Sequence, residues 1–181
     1  MARRIILNQR RRQPRPLKQL PPDDQKYNQG KFVPRHPEKY RGNVNNITFR
    51  SSWELEYNRF LDNNPNILEW SSEEIPIMYL KPTTKKMHRY FPDYWIKYRN
   101  KKGEIIQEII EVKPAKEAYN AIFLIEHNFE ALPPTTSKNP KTRMYEQLTM
   151  VINAAKWKAA IKYCSKYGIR FRVVTEKQLF A

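Results

Sequence analysis

Residues 88–114 read HRYFPDYWIKYRNKKGEIIQEIIEVKP, and the way this run folds decides the rest of the chain. Two segments rich in aromatic and β-branched residues flank Asn100-Lys101-Lys102-Gly103, and Pro114 ends the second. A three-residue loop at Lys101-Lys102-Gly103, with the glycine in the left-handed conformation, would close a bulged hairpin. Counting back from that loop sets Asn100 against Glu104, Lys97 against Gln107, Trp95 against Ile109 and Asp93 against Glu111. The two acids then become cross-strand neighbours, with Cβ atoms about 4.5–5.5 Å apart. Lys113 lies two residues past Glu111 and points to the same face. A four-residue loop would shift the pairing by one and turn Asp93 to the other face.

Facing like charges destabilise a ladder, so the pair calls for a counter-charge. Lys113 is one source, and a divalent cation is a better one. Carboxylate oxygens at this spacing suit a hard ion such as Mg²⁺, which keeps several waters and is completed by substrate phosphates; Mn²⁺ is the natural substitute. Such an ion polarises a phosphoryl oxygen, while Lys113 positions the attacking water or stabilises developing charge. The plain alternative is a solvated strand end carrying an ordinary Glu and Lys.

Outward from the hairpin, the pattern gives a helix opened by Ser51 or Ser52 and closed at Asn63-Asn64-Pro65, then one or two short strands within 66–80. After the hairpin come a helix over 115–131, a loop over 132–141, a long helix over 142–167 stopped by Gly168, and a strand over 169–174. This order indicates an α/β fold with a mixed sheet flanked by helices. The chain has 181 residues and a formal net charge of +16, enough for one domain of 46–181 with a tail. Residues 1–45 hold 12 Lys or Arg, 3 Asp or Glu and six of the 14 prolines, which reads as an extended basic arm. That arm could neutralise phosphates, dock on an acidic protein surface or simply aid solubility. The single Cys164 cannot form an internal disulfide, a zinc cluster or a redox pair. Nothing resembles a signal peptide core or a membrane span, which places the chain in a cytoplasm. The charge points to a polyanionic partner, nucleic acid first.

Phe91-Pro92-Asp93 and, 18 positions after Asp93, Glu111-Val112-Lys113 resemble the PD-(D/E)XK nuclease motif. A wider likeness covers most of 34–181. Pro37, Lys39-Tyr40, Gly42, Arg50-Ser51-Ser52-Trp53-Glu54-Leu55, Glu69-Trp70-Ser71-Ser72-Glu73-Glu74, His88 to Asp93, Asn153 to Ala159 and Val173 to Lys177 resemble the head completion nucleases of contractile-tailed phages. The transposon-end nuclease TnsA resembles the same core more distantly. The resemblance implies a restriction-endonuclease-like fold and a Mg²⁺-dependent deoxyribonuclease that hydrolyses double-stranded DNA before or during head–tail joining. It implies a metal held by Asp93, Glu111, Glu54 and the Val112 carbonyl, with Lys113 catalytic. The matching location is the host cytoplasm during assembly or the virion neck; the resemblance does not reach the basic arm, whose charge leaves DNA and portal or neck proteins both open as its partners.

Other candidates carry two readings each. Glu54 is the family's third acid, or the acid of a Ser51-x-x-Glu54 capping box, with Glu56 as its substitute in the site. Glu73 and Glu74 belong to the site or to a cap or turn. His88 and Arg89, on the motif's strand or its entry, are candidate phosphate contacts, and His88 is otherwise an ordinary surface histidine. Lys158, Lys162 and Lys166 form one stripe, either solvated or laid on DNA, and Lys156 is placed nearer the site. The four tryptophans fill the core, since a duplex does not offer its base faces. A structural neck or DNA-end-binding protein that keeps the fold but cuts little is the alternative function, and a transposase-associated or restriction-type nuclease is a third.

Overall fold

The computed structural model describes residues 29–131, 133 and 137–179. In chain order its elements are β1 (Gly30–Lys31), β2 (Thr48–Phe49), α1 (Ser52–Asn63), β3 (Ile67–Ser72), β4 (Ile77–Lys81), β5 (Lys86–Tyr90), β6 (Tyr94–Arg99), β7 (Ile105–Val112), α2 (Ala115–Glu126), α3 (Pro140–Tyr167), β8 (Arg170–Val174) and α4 (Glu176–Leu179). The central sheet runs β3-β6-β7-β8, with antiparallel pairs except for the parallel β7–β8 pair. That parallel return needs a crossover, which α2 and α3 supply.

The hairpin forms in the expected register. Lys97 pairs with Gln107 and Trp95 with Ile109, and Gly103 closes the loop at a φ of 82°. The Gly103 N–H donates to the Asn100 carbonyl at 2.9 Å, as does the Asn100 N–H to the Glu104 carbonyl. Alternation along β7 then sends Ile110 to one face of the sheet and Ile109 and Glu111 to the other. On the Ile110 face, Tyr57 and Leu61 of α1 pack with Trp70, Tyr94, Ile96 and Val174. On the Ile109 face, α3 lays Ala160 and Cys164 against Tyr79, Tyr90 and Ile77, while its Ala154 and Trp157 meet Ala118, Ala121 and Leu124 of α2. The result is a sheet with helices on both faces.

Two sequence expectations shift. The run from His88 to Arg99 is divided: Lys86–Tyr90 pairs only with β4, as a separate two-stranded ribbon, and the central sheet resumes at Tyr94. Pro92 has no N–H to give a ladder, so the chain leaves one sheet there and enters another. His88 therefore lies on a different strand from the one that follows Asp93.

The packed unit also starts earlier than residue 46. Phe32 and Tyr40 sit in the core against Trp70, with ring centroids 6.0 and 4.8 Å from it. Buried Asp62 at the end of α1 accepts the Arg35 and His36 N–H groups at 2.7 and 3.0 Å, and the Lys39 ammonium donates to the Asp62 and Asn64 carbonyls. Four charge-assisted bonds fix a segment whose composition alone reads as an arm. Of the expected extended arm, residues 29–45 are thus part of the packed unit, and residues 1–28 lie outside the described residues. No helix among the described residues is long and apolar enough to cross a membrane.

Candidate active site

Asp93 follows the strand-breaking Pro92, Glu111 stands near the end of β7, and Lys113 comes one residue after that strand. The Lys113 ammonium is 2.8 Å from Glu111 Oε1 and 4.0 Å from Asp93 Oδ2, and it donates to the Val112 carbonyl at 3.1 Å. The Val112 N–H in turn donates to Asp93 Oδ2 at 2.6 Å. The carboxylate pair and the lysine converge at the mouth of the hairpin, on the face that α3 covers.

Glu111 is only 2% exposed, whereas about a quarter of the Asp93 and Lys113 side chains can be reached by water. Burial of an ionised carboxylate requires hydrogen-bond donors. Tyr90, the last residue of the ribbon, donates its hydroxyl to Glu111 Oε2 at 2.5 Å. Burial first, and then the charge of Glu111, holds the Tyr90 phenol far above its ordinary pKa, so it remains a donor. The Asp93 carboxyl is raised from 3.8 to about 7 by burial and by the Glu111 charge, against the opposing pull of Lys113 and the Val112 N–H. Burial works to deprotonate Lys113, but the charges of Glu111 and Asp93 outweigh it and lift the ammonium to about 12. One ammonium between two carboxylates leaves the group short of positive charge, which is the electrostatic condition for taking up a cation.

The remaining candidates divide. Glu54 accepts the Arg50 N–H at 2.8 Å and the Ser51 hydroxyl at 3.1 Å, so its carboxylate completes the helix cap. Its charge is still felt at Asp93. Glu56 pairs with Arg59 one turn along α1. Among the described residues no three acids, histidines or cysteines gather as a metal cluster. Glu74 is a turn acid, accepting from Asn43 N–H and the Tyr40 hydroxyl at 3.0 and 3.3 Å. Glu73 stands at the rim, where its N–H donates to the Asp93 carbonyl at 3.2 Å and its carboxylate pairs with Arg50. His88 turns toward the ribbon loop, with Nε2 3.0 Å from Thr84 Oγ1, and Arg89 is exposed beside it. Lys156 reaches the site, its ammonium 5.3 Å from the centre of the Tyr90 ring. Lys158 instead lies 4.3 Å from the Phe129 ring centre, and Lys162 is exposed on α3.

Sequence reasoning missed Tyr90 and Arg50. Tyr90 was visible as part of the family-like run, but its contact with Glu111 depends on the ribbon folding back over β7. Arg50 precedes the cap of α1, and only the fold brings it to Glu73 and into the field of Glu54 and Asp93.

The oxygen donors here, two carboxylates and a peptide carbonyl, match the preference of Mg²⁺ for few protein ligands and several waters. The family described as TnsA-like endonuclease N terminal matches residues 64–176. The head completion nuclease of Enterobacteria phage T4 is 38% identical over 157 residues, covering 84% of this chain and 93% of the phage protein. No solved structure matches.

Proposed function

Because the chain belongs to the TnsA-like endonuclease family, we propose that it is a metal-dependent deoxyribonuclease hydrolysing phosphodiester bonds of double-stranded DNA in phage head completion. The fold is restriction-endonuclease-like. The observation that carries the reading is the Lys113 ammonium bridging Glu111 and Asp93 at 2.8 and 4.0 Å beside the Val112 carbonyl.

Asp93, Glu111 and the Val112 carbonyl would hold Mg²⁺, or Mn²⁺ in its place. When bound, the cation supplies Lewis-acid stabilisation of charge on the scissile phosphate. Lys113, held at about 12, is an ammonium at neutral pH and acts as a fixed positive charge and water donor, not as a base. Tyr90 keeps Glu111 oriented through its hydroxyl. Lys156, beside Tyr90, adds positive charge where a phosphate backbone would enter. The basic residues 1–28 are proposed to reach DNA or a neck or portal surface, on their charge alone.

The test is cleavage of linear and closed circular duplex DNA with Mg²⁺, with EDTA, and with folded Lys113→Ala and Asp93→Ala variants. Loss of cutting in all three controls supports the reading. Equal cutting by the variants contradicts the site. Tight DNA binding without cleavage by the wild type would replace the nuclease with a structural DNA-end-binding protein.

A further inference from the structure

The β4–β5 ribbon breaks the ordinary pattern of a two-stranded sheet. Its inner face is fully used: Ile77, Tyr79 and Tyr90 are buried against Ala160 and Cys164 of α3. The outer face of such a ribbon is expected to be polar. Here it presents Met78, Leu80 and Met87, which are 52%, 58% and 56% exposed. Leu80 pairs directly with Met87, and Met78 with Arg89, so the three apolar side chains and one guanidinium form a continuous strip. The inner face packs without them, so this strip does not stabilise the fold and is available to a partner.

The chemistry of the strip's surroundings identifies the partner. From Ile75 to Pro92 the chain carries Lys81, Lys85, Lys86 and Arg89 and not one acid. Lys85 and Lys86 are exposed at the ribbon's tip. The ribbon's base is Tyr90, hydrogen-bonded to Glu111, and its tip lies ~13 Å along the strand from there. That reach is comparable with half a helical turn of duplex, ~17 Å. Met78 and Arg89 form the residue pair next to Tyr90, so the strip starts beside the residue that contacts Glu111. The narrow minor groove accepts methionine and leucine side chains, with cations on the flanking phosphates.

We infer that the outer face of the β4–β5 ribbon is a minor-groove contact, with Met78, Leu80 and Met87 against the groove and Arg89 and the tip lysines on the phosphates beside it, positioning the duplex for cleavage. This rests on the nuclease reading above and extends it to how the substrate is held.

Cys164 is the chain's one cysteine and is 2% exposed, so a cysteine placed at Leu80 can be labelled alone. A photo-crosslinker on Leu80→Cys, in a Lys113→Ala background bound to a duplex, should attach to DNA, and the minor-groove ligand netropsin added before irradiation should suppress that attachment. In anisotropy titrations, the triple variant Met78→Ser/Leu80→Ser/Met87→Ser should bind roughly tenfold more weakly with an unchanged salt slope, while Ile105→Ser should bind as wild type. Lys81→Ala/Lys85→Ala/Lys86→Ala should instead lower the salt slope. Wild-type affinity of the triple serine variant, or a formed complex with no crosslink from position 80, would overturn the ribbon contact. So would crosslinking to a protein in preference to DNA. Should the wild type neither bind nor cut DNA, the nuclease reading falls, and the ribbon contact falls with it. Normal cutting by the triple serine variant at wild-type affinity sinks the ribbon contact alone.

Discussion

At the residue scale, the group of Asp93, Glu111 and Lys113 is an electrostatic compromise that has consequences for folding. Asp93 titrates at about 7 in the folded chain against an ordinary 3.8. Between those values the folded state keeps a proton that the unfolded chain releases, so stability falls as pH rises from about 4 to 7. Asp93→Asn removes that dependence while an amide oxygen can still accept the Val112 N–H. In metal-free buffer the variant should melt above the wild type at pH 8, with the gap closing at pH 4. A variant that melts lower than the wild type at pH 8 would show that Asp93 is not strained by its neighbours. Tyr90 gives a second prediction. Tyr90→Phe leaves a lone pair of a buried carboxylate unmet, and it should cost about 1–3 kcal/mol in denaturant unfolding and weaken Mn²⁺ binding about 10–100-fold by calorimetry. Unchanged Mn²⁺ affinity would remove Tyr90 from the site's support. Much of this was legible in sequence, because a glycine at 103 and strict alternation are enough to bring 93, 111 and 113 together. The role of Glu54 was not legible, because one spacing serves both a metal ligand and a capping box, and the carboxylate's actual direction depends on the Arg50 N–H.

At the element scale, helix ends and turns were the most readable features. Gly168 stands at φ 68° as the cap of α3, and its N–H donates to the Cys164 carbonyl. Open space surrounds its Cα, so Gly168→Ala meets only the backbone cost of the left-handed conformation. It should lower stability by about 1 kcal/mol without changing DNA cleavage. A neutral effect would mean that the cap can rearrange. The division of residues 86–99 between two sheets was less readable. Both halves carry strand-forming residues, and the break depends on one proline whose neighbours find different partners. The early start of the packed unit was hidden for a related reason. Arg35, His36 and Lys39 look like arm residues until Asp62, 23–27 positions away, is brought beside them.

At the scale of the whole molecule, charge and topology act together. The parallel β7–β8 pair puts α2 and α3 on the catalytic face, where Lys156 stands over Tyr90. A chain of net charge +16 should bind DNA largely through phosphate contacts. The logarithm of affinity should fall linearly with the logarithm of salt, at about 0.9 per phosphate neutralised. Binding that hardly changes between low and physiological salt would show that the charge serves another purpose. The most direct test of the central claim is single-turnover cleavage of closed circular duplex in Mg²⁺ by wild type and Lys113→Ala, both at saturating DNA. The account predicts a rate at least about 100-fold lower for the variant with its DNA affinity retained. Equal rates would place the chemistry elsewhere in the molecule.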